Sequence, residues 1–434
     1  MRSQWKTFVA LVVLASGANR GFGHTRESGD VATALIELNQ GNILAAISEL
    51  KRVAQESSAP QAYFYLSGIY TEMGRYDAAF RYLRSAIHAN PAQGAYYLQL
   101  GLIRRAEGCR PEAIAAFSDA LQMGMGNQEA TAWRQLGDAH MDLSQWDKAA
   151  DAYHNALRLR PDDAESRMAL GKLYLDRNDS AKAISELRAA FDIMPALPGL
   201  HAALGRAYRA AEDPASAIAI LTKGIERDPA DQEARYILAQ TLLAEGRTNE
   251  GRKALEEYRS VQNRIAQTNA SFEVAVGYAQ AGDLTGAERI LKDVLRLAPH
   301  YSSAHQILGS VLLNRGNLQP ALEEFRQALA ANPLNPETYF TTGTIYLRTA
   351  KLDDAMVATQ RALAIDDEDA RFYLQLGEIY SRMNRKDQSR DAVAKAAQLK
   401  SEPGYHAAEP YSSEGRRRDD AATVRRICSE PSLP

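Results

Sequence analysis

The sequence predicts an all-α fold, a solenoid of about eleven stacked helix–turn–helix units, from a recurring period, columns of small residues inside it and prolines that close it. Gly137, Gly171 and Gly205 are 34 residues apart, and so are Gly309, Gly343 and Gly377. The frame they set starts units at Glu27, Pro60, Gly94, Ala130, Ala164, Pro198, Gln232, Thr268, Ser302, Pro336 and Ala370. Seven of the ten intervals are 34 residues, and the others are 33, 36 and 36. So constant a period marks a repeat architecture.

The columns carry the packing. The eighth position is small throughout: Gly101, Gly137, Gly171, Gly205, Gly309, Gly343 and Gly377, with Ala34, Ser67, Ala239 and Ala275 in the other units. The twentieth is Ala except at Gly251 and Ser389. Small side chains at both positions let the two helices of a unit approach closely. Leucines at the seventh position (Leu66, Leu136, Leu204) and aromatics at the eleventh and twenty-fourth (Tyr70, Tyr346, Phe117, Phe325) fill the space between them. A bulky residue at a small position would overpack the pair, at a cost of ~1–3 kcal/mol. Turn signals such as Gly74 and Gly316 separate the helices, where glycine takes a left-handed cap. Pro91, Pro161, Pro195, Pro229, Pro299 and Pro333 end the second helix of six units.

These columns resemble the tetratricopeptide repeat (TPR) family. The best-matched unit carries Trp133, Leu136-Gly137, Ala149, Tyr153, Ala156 and Pro161 at the signature positions, with His140 where the family has Tyr. The resemblance spans roughly residues 27 to 401. It implies antiparallel helix pairs stacked into a right-handed superhelical α-solenoid with a concave groove.

Departures from the pattern suggest an organisation. The first unit is degenerate (Asp30, Thr33, Glu37) and the last lacks a closing Pro, as expected of caps. The seventh carries Gly251 and Tyr258 at small positions, no Pro, and two extra residues. Residues 258–267 contain neither Gly nor Pro and predict a lengthened helix. That divides the chain into a leader, 1–26; repeats one to seven, 27–267; repeats eight to eleven, 268–401; and a tail, 402–434. An ordinary insertion and a hinge both remain open at the junction. The tail, with Arg416-Arg417-Arg418 followed by Asp419 and Asp420, has no periodicity and reads as disordered.

Among the 434 residues, 45 % are hydrophobic and 24 % charged, as in a folded protein, and the formal net charge is −3. Without a Lys/Arg excess on one face, nucleic acid is not an expected partner. Arg2 and Lys6, the apolar run 8–14 and the small residues Ala15, Ser16, Gly17 and Ala18 follow the order of a secretory signal peptide. Cleavage after Ala18 fits, and so does a cut near Gly23. The run is short of the ~20 residues that span a bilayer. Ala18 also stands where a lipidated cysteine would be. The expected location is therefore exported: periplasmic in a bacterium, secreted otherwise. Cys109 falls in a predicted turn and Cys428 in the tail, so both read as incidental thiols, although export would permit their oxidation.

No motif for phosphate, dinucleotide, nucleophilic or zinc chemistry is present. His300 and His305 miss the i,i+4 spacing of two ligands on one helix face, and His140 reads as a packed residue. An enzyme, a metal and a cofactor are not expected. In the TPR family, positions two, five, nine, twelve and thirteen face the groove. Position five reads Phe64, Leu98, Met168, Tyr236, Phe272, Phe340 and Leu374, with Arg134, Ala202 and Gln306 between them. Such a row suits an extended or helical peptide, or else is spent on packing between helices. The family's chaperone-tail clamp (Lys at five, Asn at nine) is absent, since position nine includes Gly68, Leu102, Asp138, Lys172, Arg206 and Gln240. The expected function is an exported, non-catalytic scaffold or assembly factor in a cell-envelope or secretion complex. The alternative is a peptide-binding chaperone or adaptor.

Overall fold

The computed structural model describes residues 27–57 and 59–401; the expected signal segment and the tail lie outside them. The described residues form helices and no strand. The first pair is α1 (Glu27–Gln40) with α2 (Ile43–Ser57). Next come α3 (Pro60–Glu72) with α4 (Tyr76–Ala89), α5 (Gly94–Ala106) with α6 (Arg110–Gln122), and α7 (Glu129–Met141) with α8 (Trp146–Leu159). They are followed by α9 (Ala164–Asp176) with α10 (Ser180–Ile193), α11 (Leu200–Ala210) with α12 (Pro214–Arg227), and α13 (Gln232–Ala244). The long α14 (Thr248–Gln280) runs through the seventh junction, and α15 (Leu284–Leu297) pairs with its end. Last come α16 (Ser302–Asn314) with α17 (Leu318–Ala331), α18 (Pro336–Arg348) with α19 (Leu352–Ile365), and α20 (Ala370–Arg382) with α21 (Lys386–Ser401). Most of the predicted unit starts, among them Pro60, Gly94 and Ala370, are the first residues of their helices.

The small columns work as expected. A Cβ on Gly101 would lie 2.3 Å from Phe117, one on Gly205 2.4 Å from Leu221, and one on Gly309 2.7 Å from Phe325. The residue sixteen places on, at position twenty-four, thus occupies the space that glycine leaves. The alanines of the twentieth column, from Ala46 to Ala355, have no exposed surface. Packing at this density makes the helix pair the rigid element of the fold.

The turn inside each pair is more uniform than its sequence. Position fifteen is left-handed in all eleven described pairs: Gly41, Gly74, Gly108, Gly246, Gly282 and Gly316, but also Ser144, Asn178, Glu212, Ala350 and Asn384. A side chain in that region costs ~1–2 kcal/mol, only partly offset by the entropy glycine loses on folding. Ala350→Gly and Glu212→Gly are therefore each expected to raise stability by ~0.5–1 kcal/mol. Urea unfolding followed by circular dichroism checks this; a lowered midpoint for both would contradict it.

Where a second helix ends at proline, the freed carbonyl finds a partner on the next unit. Arg167 donates to Pro161 O from two nitrogens and pairs with Glu186 at 2.9 Å. Arg235 likewise donates to Pro229 O and faces Glu257, and His305 lies between Pro299 O and Glu324. His305 is thus a link between units, and His140 is buried with Nδ1 2.7 Å from Gln145, as a packed histidine should be.

The described chain separates into two bodies, one of residues 53–262 and one of 29–52 with 263–401. The division falls at 262/263, within α14, where the lengthened helix has no turn. Residues 29–52 do not group with the repeats that follow them in sequence. They group with the second body, where Lys51 Nζ reaches Asp367 Oδ2 at 3.0 Å and Leu363 O at 3.4 Å.

Cys109 departs from the expected incidental thiol. It caps the start of α6 behind the left-handed Gly108, is 1 % exposed, and is disulfide-bonded. The chain's other cysteine, Cys428, lies outside the described residues.

Candidate interaction face

In each body the first helices of successive pairs touch one another, as α9 with α11, α11 with α13, and α18 with α20. The side chains between them form the candidate face. In the first body this face is a ladder of charge. Arg105 of α5 donates to Asp142 at 2.7 Å and lies 3.4 Å from Asp138, both from the α7 segment and its C-terminal turn. Arg134 of α7 reaches Glu165 of α9 at 2.7 Å, and Arg206 of α11 lies 3.9 Å from both Asp176 and Glu233. Arg209 donates to Gln240 of α13 at 2.5 Å. Burial pushes the Asp138 carboxyl above its ordinary range, opposed by Arg105, Arg134 and the Tyr153 hydroxyl that donates to it at 2.8 Å. Half-exposed ion pairs of this kind contribute only ~0–1 kcal/mol each. Their main effect is to order long side chains on the surface.

In the second body the corresponding face carries fewer charges. Arg371 of α20 is gripped by Glu337 at 2.7 Å and Asp369 at 2.6 Å, with its guanidinium 5.3 Å from the Phe340 ring. Burial raises the Glu337 carboxyl above its usual range, while Arg371 pulls it back. Gln375 donates to Thr344 Oγ1 at 2.8 Å and to Phe340 O, and accepts from Thr359. Among the described residues, no group of His, Cys, Asp and Glu is placed to hold a metal ion.

The position-five row does not form a continuous apolar stripe. Leu98 is buried, and Phe272 is 2 % exposed with its ring 4.9 Å from Tyr301, so neither offers a side chain to a partner. Phe64 packs on Tyr65 and Tyr96, Met168 joins the core around Leu187 and Leu200, and Phe340 is covered by Arg371 and Phe372. Tyr236 at 41 % and Leu374 at 38 % are the two that stand out from the surface. What the sequence reading missed is the charge ladder. Its signal was present as an acid or amide about one period after an Arg: Arg105 then Asp138 and Asp142, Arg134 then Glu165, Arg209 then Gln240.

Models of the tetratricopeptide repeat match residues 31–93, 70–129, 134–198, 208–264, 278–339 and 370–403. No curated protein matches the chain. Among solved structures, Pseudomonas aeruginosa pilF is 15 % identical over 49 % of this chain and 97 % of its own, with a TM-score of 0.45. PilW, described as a widely conserved type IV pilus biogenesis factor, is 14 % identical over 50 % of this chain and all of its own, at 0.46. The TPR domain of P58(IPK) covers 83 % of this chain and 99 % of its own at 17 % identity and 0.29. These likenesses are of fold alone. The repeat frame, the helix pairs it produces and the family matches along most of the length agree: the chain belongs to the tetratricopeptide repeat family.

Proposed function

We propose that the protein is an exported, non-catalytic scaffold that binds other proteins along the first-helix face, within a cell-envelope or secretion complex. The observation that carries this reading is the ordered polar face of the first body. Its ladder of Arg and carboxylate groups is held in register by the rigid pairs behind it and contributes little to stability. A partner whose charges complement such a fixed array gains specificity and speed of association. Export is supported by the signal-like start and by the disulfide at Cys109, since such bonds persist in oxidising compartments. Among the described residues no helix is long and apolar enough to cross a membrane.

The test is affinity capture from the host's envelope extract with the full mature chain. The control bait carries Arg105→Glu, Lys172→Glu and Arg206→Glu, after its helicity has been checked. All three positions lie on the first-helix face outside the buried cores, whereas a change at Phe272 would disturb packing. Partners lost with the control bait are the expected result. Equal recovery by both baits would place binding elsewhere and end this reading. N-terminal sequencing of the secreted chain should begin at Asn19 or close to His24; an intact Met1 on the protein from cells would contradict export with cleavage.

A further inference from the structure

The turn between α5 and α6 is covered where its counterparts are bare. Position fourteen of the pairs that follow in the first body is Leu143, Arg177, Ala211 and Glu245, and all four are exposed. Glu107 holds that position between α5 and α6, and its side chain is 5 % exposed. The left-handed residues Ser144, Asn178, Glu212 and Gly246 are exposed too, whereas Gly108 is half-buried and Cys109 after it is buried. Arg104, on the last turn of α5, is also buried; it pairs with Glu107 at 3.0 Å and lies 4.5 Å from the Phe80 ring.

A turn joining two helices stands at the edge of its pair, and each pair in an array touches only its neighbours, in the same way each time. Those contacts leave the four later turns open, so they do not account for the cover on this one. Cys109 is disulfide-bonded, and the chain's other cysteine is Cys428, beyond the end of α21. Cys428 closes the run Val424-Arg425-Arg426-Ile427-Cys428, which has apolar residues at both ends.

We propose that residues 424–428 dock on the α5–α6 turn and that the disulfide to Cys109 is the clasp that holds them there. The segment keeps water from the Arg104–Glu107 pair and leaves when the bond is reduced. A dithiol reductant supplies the two electrons. Its first thiolate attacks the Cys428 sulfur and displaces Cys109, because the Cys109 side is buried. Its second thiol then displaces Cys428, leaving a cyclic disulfide and two cysteine thiols that carry the protons of the dithiol. The turn is thus an interaction surface for the chain's own C-terminal segment, occupied while the compartment is oxidising. This assignment does not depend on the scaffold reading.

The test is tryptic digestion of the oxidised full chain under native conditions, with the fragments timed by mass spectrometry. Arg416, Arg417 and Arg418 serve as the internal reference. Cleavage after Arg425 and Arg426 is expected to be at least tenfold slower than at the reference. It should reach the reference rate after addition of a dithiol, and in Cys428→Ser. Amide exchange at Gly108 and Cys109 should accelerate at least tenfold on reduction, with Ser144 and Gln145 in the equivalent turn of α7 and α8 unchanged. Val424→Ser with Ile427→Ser keeps both cysteines and separates docking from tethering. That variant should retain the bond in a peptide map without reductant and yet be cleaved rapidly after Arg425 and Arg426. Equal cleavage at all five arginines of the oxidised wild-type chain overturns the proposal. So does slow cleavage that persists in the double variant, or a turn whose exchange ignores reduction. A Cys109 peptide joined to a second chain overturns it as well.

Discussion

Gly101→Val is expected to lower stability by about 3 kcal/mol or more, at the upper end of overpacking costs. A Cβ at Gly101 would stand 2.3 and 2.4 Å from two edge atoms of the Phe117 ring, and Phe117 has no exposed surface. The ring cannot step aside into solvent, so α6 must move away from α5. That movement opens space beside Ala113 and Ala116, which are buried in the same interface. Repeat arrays unfold through nearest-neighbour couplings, so the damage should first appear locally. Amide exchange in α5 and α6 should accelerate before the urea midpoint of the whole chain shifts. Gly277→Ala is the matched control. Gly277 lies inside α14, a Cβ added to it would meet nothing within 4 Å, and alanine there should gain ~0.5–1 kcal/mol. Wild-type exchange and midpoint in Gly101→Val would show that position eight is small for some reason other than packing.

Loss of the Cys109 disulfide should have an effect as large or larger. Cross-linking Cys109 to Cys428 would close a loop of roughly 320 residues, for which the chain-entropy argument allows up to about 6 kcal/mol. A peptide map without reductant should show the Cys109 peptide joined to the Cys428 peptide. Melting should occur at lower temperature with a dithiol reductant, and Cys428→Ser should reproduce that loss without touching the buried Cys109 site. Alkylation of both thiols in the native, oxidised protein would refute the link, as would a Cys109 peptide joined to a second chain.

Much of the fold was legible because its requirements are local. Glycine at position eight, alanine at twenty and an aromatic or leucine at twenty-four describe one close helix crossing, and the crossing recurs wherever the triplet does. The lengthened helix was legible for the same reason, since a junction without Gly or Pro has nothing to end a helix. The interaction face was legible only in part. Position five could be read as a row, but Phe272 with 2 % exposure and Tyr236 with 41 % hold the same place in the repeat.

By itself, the sequence determined the period, the helix pairs and the family, because each unit's internal contacts depend on residues within about one period of each other. Only the tertiary structure decided which leucines and aromatics stay on the surface, since burial depends on the helix that comes next. Leu243 stays 36 % exposed on α13, while Leu313 and Leu347 are buried with Ile345 and Ile379 of the first helices that follow them. It alone also brought residues 29–52 to the second body and put Cys109 in a disulfide. The first is a contact between segments far apart in the chain, and no local pattern encodes either.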